Sequence, residues 1–307
     1  MSWPEYSSRT YRWPYLLQLT TQHSALLYFG AQHTNDPSDQ QLVVLERLWD
    51  EFRPDVALNE GGDPPVARTR DDAVRQYGET GLVRWLAARD SVPASNMDLT
   101  RELQAKSLLA EWPPAKVKMF FLVRALLPCE RRPECERTVE IGRILPIISS
   151  TTGIKAEPNT LAEFEQALVG LSPSGQEAPH NHTAWFDPTS AGYPFNEMAR
   201  HIEDSRDDAM VLAIVQAVRG GHRVFAVAGG SHVAREEPLI RGGLNKPHSI
   251  HRDMRSKLTT TQKGRLDGRP VKTRPERRGL NGATRVRVCH CRVGRADPLG
   301  IRSEAAA

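Results

Sequence analysis

Two short apolar runs constrain this chain most, because each ends in the same punctuation. Ala25-Leu26-Leu27-Tyr28-Phe29 leads into Gly30-Ala31-Gln32-His33, and Arg223-Val224-Phe225-Ala226-Val227-Ala228 leads into Gly229-Gly230-Ser231-His232. Each reads as a buried strand followed by Gly-x-x-His. After the first, Leu42, Leu45, Leu48, Trp49 and Phe52 recur at helical spacing, and Arg53-Pro54 ends the helix because a residue before proline avoids helical angles. Val56-Ala57-Leu58 then reads as a second strand, closing at Asn59-Glu60-Gly61-Gly62. Strand, helix and strand joined by a crossover of about 25 residues are the signature of parallel α/β structure. The expected fold is α/β, with a mixed, largely parallel sheet flanked by helices.

The rest of the body is mostly helical in pattern. Gly81–Arg89, Leu99–Glu111, Pro114–Leu127 and Leu161–Val169 read as helices, and Val92–Asp98 as a third short strand. Pro128–Glu136 and Ser172–Pro194 read as loops. Asp204-Ser205 resembles an N-cap for a helix reaching Arg219, which Gly220-Gly221 would end.

Charge divides the chain. Residues 1–242 carry 25 Lys and Arg against 32 Asp and Glu, while 243–307 carry 16 against 5. The expectation is an acidic α/β domain over 1–242 and a basic, disordered tail over 243–307 that is poor in apolar residues. Such a tail contacts nucleic acid weakly at most, because it has no aromatic side chain to stack on a base. No apolar stretch approaches the ~18 residues of a membrane helix, and the N-terminus lacks a secretory pattern. Four cysteines are too few for a disulfide framework. Cys129 and Cys135 are wrongly spaced for a zinc knuckle and read as free thiols, so a cytoplasmic location is expected.

In open α/β sheets, ligands collect at the carboxyl ends of the strands. His33, Glu60 and His232 all fall there. Gly30 and Gly229 would allow positive φ and close backbone approach, so that each motif turns sharply and aims its imidazole over the sheet edge. Two imidazoles and a carboxylate suit a divalent ion, or proton transfer without one. Arg206 breaks the usual preference for acids at a helix start, which points to a substrate carboxylate or an oxyanion as its partner, against the plainer pairing with Asp207 or Asp208. Asp98 is either the N-cap of the helix from Leu99 or an acid behind the site, and Asp207 is a second such acid. His180 and His182 are further candidate ligands in a polar loop, set against ordinary loop histidines.

Phe29–His33, Val56–Gly61, Ser205-Arg206-Asp207 and Val227–His232 resemble, in type and order, the motifs of the TraB/GumN/TIKI group within the wider erythromycin-esterase/ChaN-like superfamily. The resemblance spans roughly residues 25–240 and implies functional positions at His33, Glu60, Arg206 and His232. It also implies a range of activities. TIKI-like members are manganese- or cobalt-dependent peptidases, erythromycin-esterase-like members hydrolyse an ester with histidine and glutamate, ChaN-like members bind haem, and TraB-like members are linked to peptide pheromone shutdown. The expected function is therefore a hydrolase of a peptide, amide or ester bond. Its substrate would be a peptide or small molecule, and it would use Mn, Co or Zn at His33, Glu60 and His232 or no metal at all. The alternative is a non-catalytic haem or small-ligand binding protein.

Overall fold

A computed structural model describes residues 1–130, 132, 134–171 and 182–245. After a short helix α1 (Trp3–Ser7), its centre is a sheet of five strands: β1 (Tyr15–Thr20), β2 (Ala25–Ala31), β3 (Val56–Asn59), β4 (Ala94–Asn96) and β5 (Arg223–Gly229), in the order β1-β2-β5-β3-β4. β2, β5, β3 and β4 are parallel, and β1 pairs antiparallel with β2 at the edge. The mixed, largely parallel α/β sheet expected from sequence is the one observed.

Parallel strands are buried on both faces, so their sequences run apolar without alternation. Every residue of β2 is buried. Leu26 and Tyr28 face one side, against α8 (Asn196–Arg219) and α9 (Gly230–Asn245) through Met210, Ile214 and Val233. Leu27 and Phe29 face the other, against α2 (Gln40–Phe52) and α3 (Arg70–Arg89) through Leu42, Leu45, Trp49 and Leu86. β1 is half-buried, as an edge strand is, and its mixed Tyr15–Thr20 sequence carries a weak signal.

Between β4 and β5 the chain builds a second, helical core. α4 (Arg101–Leu109), α5 (Pro114–Glu130), α6 (Arg137–Thr152) and α7 (Leu161–Leu171) pack with a 3-10 turn at Thr183–Phe186 and the first turns of α8 around Phe120, Phe164, Trp185 and Phe195. Among the described residues, no helix is long and apolar enough to cross a membrane.

Several expectations are corrected. α3 starts at Arg70, not Gly81, with Thr69 as N-cap, because a kink at Gly78 interrupts the periodicity that would have revealed the earlier turns. α5 continues past Pro128 to Glu130, and α6 and α9 contain Pro146 and Pro238. α8 begins at Asn196, so Asp204-Ser205 lies inside a helix: Met198, Ala199, Ile202 and Met210 continue one buried face across it. Cys129 and Cys135 are joined in a disulfide, with Cα atoms 5.3 Å apart, rather than being free thiols. Residues 243–245 end α9 instead of opening a tail. The tail from residue 246 onward and His180 lie outside the described residues.

Candidate functional site

Three adjacent parallel strands, β2, β5 and β3, deliver His33, Gly229 with His232, and Glu60 to the same sheet edge. Close approach, not unusual φ, explains the strand-end glycines. Neither Gly30 nor Gly229 has positive φ. A Cβ on Gly30 would lie 2.9 Å from the Gly230 Cα and 2.9 Å from the Tyr15 carbonyl oxygen. A Cβ on Gly229 would lie 2.8 Å from His33 Nε2 and 3.6 Å from Glu60 Oε2. The histidine and the carboxylate thus crowd the bare backbone at the end of β5.

His33 is the open member of the group, its side chain 65% exposed. Its Nδ1 hydrogen-bonds the buried carboxylate of Glu79. That acid reaches it because α3 kinks at Gly78 (φ 59°), where a Cβ would meet the Thr34 carbonyl oxygen at 2.9 Å. The bond to Glu79 raises the His33 pKa, against a smaller opposing effect of burial. His33, Glu60 and Glu79 line a cavity of about 310 Å3 with Asn35, Gln76 and Thr80.

Glu60 is anchored at both oxygens. Oε1 accepts from Arg206 Nη2, and Oε2 accepts from the Gly229 backbone N–H at 2.7 Å. Burial by itself would raise its pKa, but His232, Arg206 and His33 outweigh that and hold it at about 2. Past Glu60 the chain turns through Gly61 and Gly62, both left-handed (φ 85° and 99°).

Arg206 lies in mid-helix and is buried, which overturns the surface-pair reading. Nε and Nη2 donate to Asp98 at 2.9–3.2 Å, Nη1 donates to Glu203 Oε2 at 2.6 Å, and Nη2 also reaches Glu60. Burial would lower its pKa, yet Glu203, Glu60 and Asp98 drive it well above the ordinary value. Asp98 thus stands behind the site as an acid. The N-cap of α4 is Thr100, although Asp98 also accepts from the Leu99 N–H at 2.6 Å.

His232, in the first turn of α9, is buried among acids. Nδ1 is 2.5 Å from Asp207 Oδ1, and Nε2 lies 3.3 Å from Glu203 Oε2 and 3.5 Å from Glu60 Oε1. Burial would lower its pKa, but Glu60, Asp207 and Glu203 raise it far above normal. Asp207, His232 and Glu236 bring one ligand atom each within 4.8 Å of one another, so this buried group could hold a metal ion. It shares only His232 with the set His33, Glu60 and His232. In that set Glu60 is already bound at both oxygens, by Arg206 and by the Gly229 N–H, so its carboxylate suits a metal poorly.

Sequence reasoning did not single out Glu79, Glu203 or Glu236. Glu203 and Arg206 are i, i+3, and His232 and Glu236 are i, i+4, so reading α8 and α9 at full length would have placed both pairs on shared faces. Glu79 left no such signal. His182 lies away from the site in the helical core, with Nδ1 on Glu130 at 2.5 Å and its ring against Trp185. Set against known proteins, the chain matches no family model, no curated protein and no solved structure.

Proposed function

We propose that this chain is a hydrolase that cleaves a peptide, amide or ester bond in the cavity at the strand ends. One observation carries the reading: His33 is exposed to the cavity, with Nδ1 on a buried carboxylate and Nε2 against Gly229 and Glu60. A carboxylate on Nδ1 fixes the tautomer and leaves the Nε2 lone pair free, the arrangement of a general base. Nε2 takes a proton from water, the water oxygen attacks the carbonyl carbon, and protonated His33 returns that proton to the leaving alcohol or amine.

Glu60 presents a fixed negative charge beside the attacking water. Arg206 keeps that charge in place, because its donors are already occupied by Asp98, Glu203 and Glu60; we assign it positioning in place of oxyanion binding. The motif resemblance to the TraB/GumN/TIKI group supports the hydrolase class and a peptide or small-molecule substrate. Haem is disfavoured by a cavity of about 310 Å3, at the small end of ligand sites. A cytoplasmic location loses one of its supports, because Cys129 and Cys135 are joined in a disulfide.

The test is a panel of aryl esters, amides and short peptides assayed with wild type and His33→Ala, with folding checked by circular dichroism. Turnover lost in a folded His33→Ala supports the reading; turnover retained in full rejects it.

A further inference from the structure

We propose that Asp207, His232 and Glu236 bind one divalent first-row transition metal, of the zinc, cobalt or manganese type, behind the cavity. The inference does not depend on what the cavity hydrolyses. α8 supplies Asp207, and α9 supplies His232 and Glu236 one turn apart on a single face. All three are buried, Glu236 completely.

Glu236 gives the sharpest indication. Its Oε2 accepts the Tyr28 hydroxyl at 3.0 Å, which fixes the carboxylate. Its Oε1 is buried, accepts from no N–H or O–H donor, faces the Asp207 carboxylate, and lies 3.8 Å from His232 Nδ1. An unmade bond on a fully buried carboxylate oxygen is costly, and a cation would satisfy it.

The spacing fits as well. Three ligands at ~2.1 Å from a tetrahedral ion stand ~3.4 Å apart. His232 Nδ1 stands 3.8 Å from Glu236 Oε1, near that value, and its 2.5 Å hydrogen bond to Asp207 Oδ1 would open by ~0.9 Å as the ion replaces the proton. Two carboxylates and an imidazole balance a divalent charge, and the mixed N/O set favours transition metals over magnesium or calcium. Three protein ligands leave a fourth position for water.

The surroundings would orient the ligands. Arg235 Nη1 holds Asp207 Oδ2 at 2.6 Å, leaving Oδ1 for the ion. With Nδ1 on the metal, His232 Nε2 carries the proton toward Glu203 and Glu60, at 3.3 and 3.5 Å. The ion would thus lock His232 and, through it, Glu60 at the cavity wall.

The full chain is loaded with Zn2+, Co2+ or Mn2+, desalted and measured by elemental mass spectrometry. Wild type and His33→Ala should each retain about one ion per chain, and Glu236→Gln should bind at least ~10-fold more weakly, as expected when one of three ligands is lost. No ion retained by folded wild type overturns the site. Loss in His33→Ala with retention in Glu236→Gln also overturns it and moves the ion to the cavity. If Glu236→Gln fails to fold, the 15N histidine spectrum of Zn2+-loaded wild type decides. One imidazole should be metallated at Nδ1, and its signal should persist in His33→Ala; metallation at Nε2 alone refutes the assignment. Turnover does not enter this test, so the hydrolase reading and the metal site fail separately.

Discussion

The sheet region and the helical region both bury ionisable side chains, yet they handle them differently. In the helical region Lys118 and His182 each have partners of their own. Lys118 donates to the Ala156 carbonyl and to Asn159 Oδ1 at 2.8 and 2.7 Å, and His182 meets Glu130. At the strand ends the partners are shared: Arg206 serves Glu60, Asp98 and Glu203, and His232 faces Asp207, Glu203 and Glu60. Each isolated group answers one neighbourhood, although His182 Nε2 is left without a hydrogen bond. The shared network fixes carboxylates beside a cavity, an arrangement that stability alone does not need, since a buried ion pair rarely stabilises more than apolar packing of the same volume.

The largest expected effect separates the regions by activity. His33→Ala should lower kcat/KM by about 10²–10⁴-fold with only a small fall in the denaturation midpoint, because the side chain is exposed and only its bond to Glu79 is lost. Phe120→Ala, fully buried in the helical core, should do the reverse: a loss of about 3–5 kcal/mol in urea unfolding with kcat of the folded enzyme preserved. A fall in kcat to match would mean that the two regions are coupled.

Arg206→Met sharpens the comparison within the sheet region. It leaves buried Asp98 without its cation and takes the shared one from Glu60 and Glu203, so stability should fall by about 3–5 kcal/mol. Arg124→Met breaks the more exposed pair to the same Glu203 and should cost about 1 kcal/mol or less. Equal losses would show that Arg206 is not the hub.

The smallest effect is in pH. The Glu79 bond raises the His33 pKa above 6.5. The stability contributed by the charged pair is therefore fully present below pH 6.5 and is lost as pH rises through the raised value. The base function runs the opposite way and requires pH above that value. Glu79→Gln should move the acid limb of kcat/KM to lower pH; a limb that stays in place would exclude His33 as its source.

How much was legible follows from the range of the forces involved. β2, β3, β5 and α2 follow from local pattern: uninterrupted apolar runs, one helical stripe, and Pro54 as a stop. α9 escaped because it opens on Gly230 and contains Pro238, both of which read as breakers, although packing on the sheet offsets their cost. The false start of α8 at Asp204-Ser205 is an N-cap pattern overridden by a buried face that continues on either side of it.

The site divides along the same line. His33, Glu60 and His232 were legible because a strand's end can be read locally and parallel strands must bring such ends to one edge. Their partners were not. Glu60 and Arg206 are 146 residues apart, and His33 and Glu79 are 46 apart. By itself the sequence determined which side chains stand at the sheet edge, since local periodicity dictates strand and turn. Only the tertiary structure decided that Arg206 faces inward, that Glu79 holds His33, and that Asp207 and Glu236 meet on His232, because the pairing of buried charges is set by helix packing and not by neighbours in the chain.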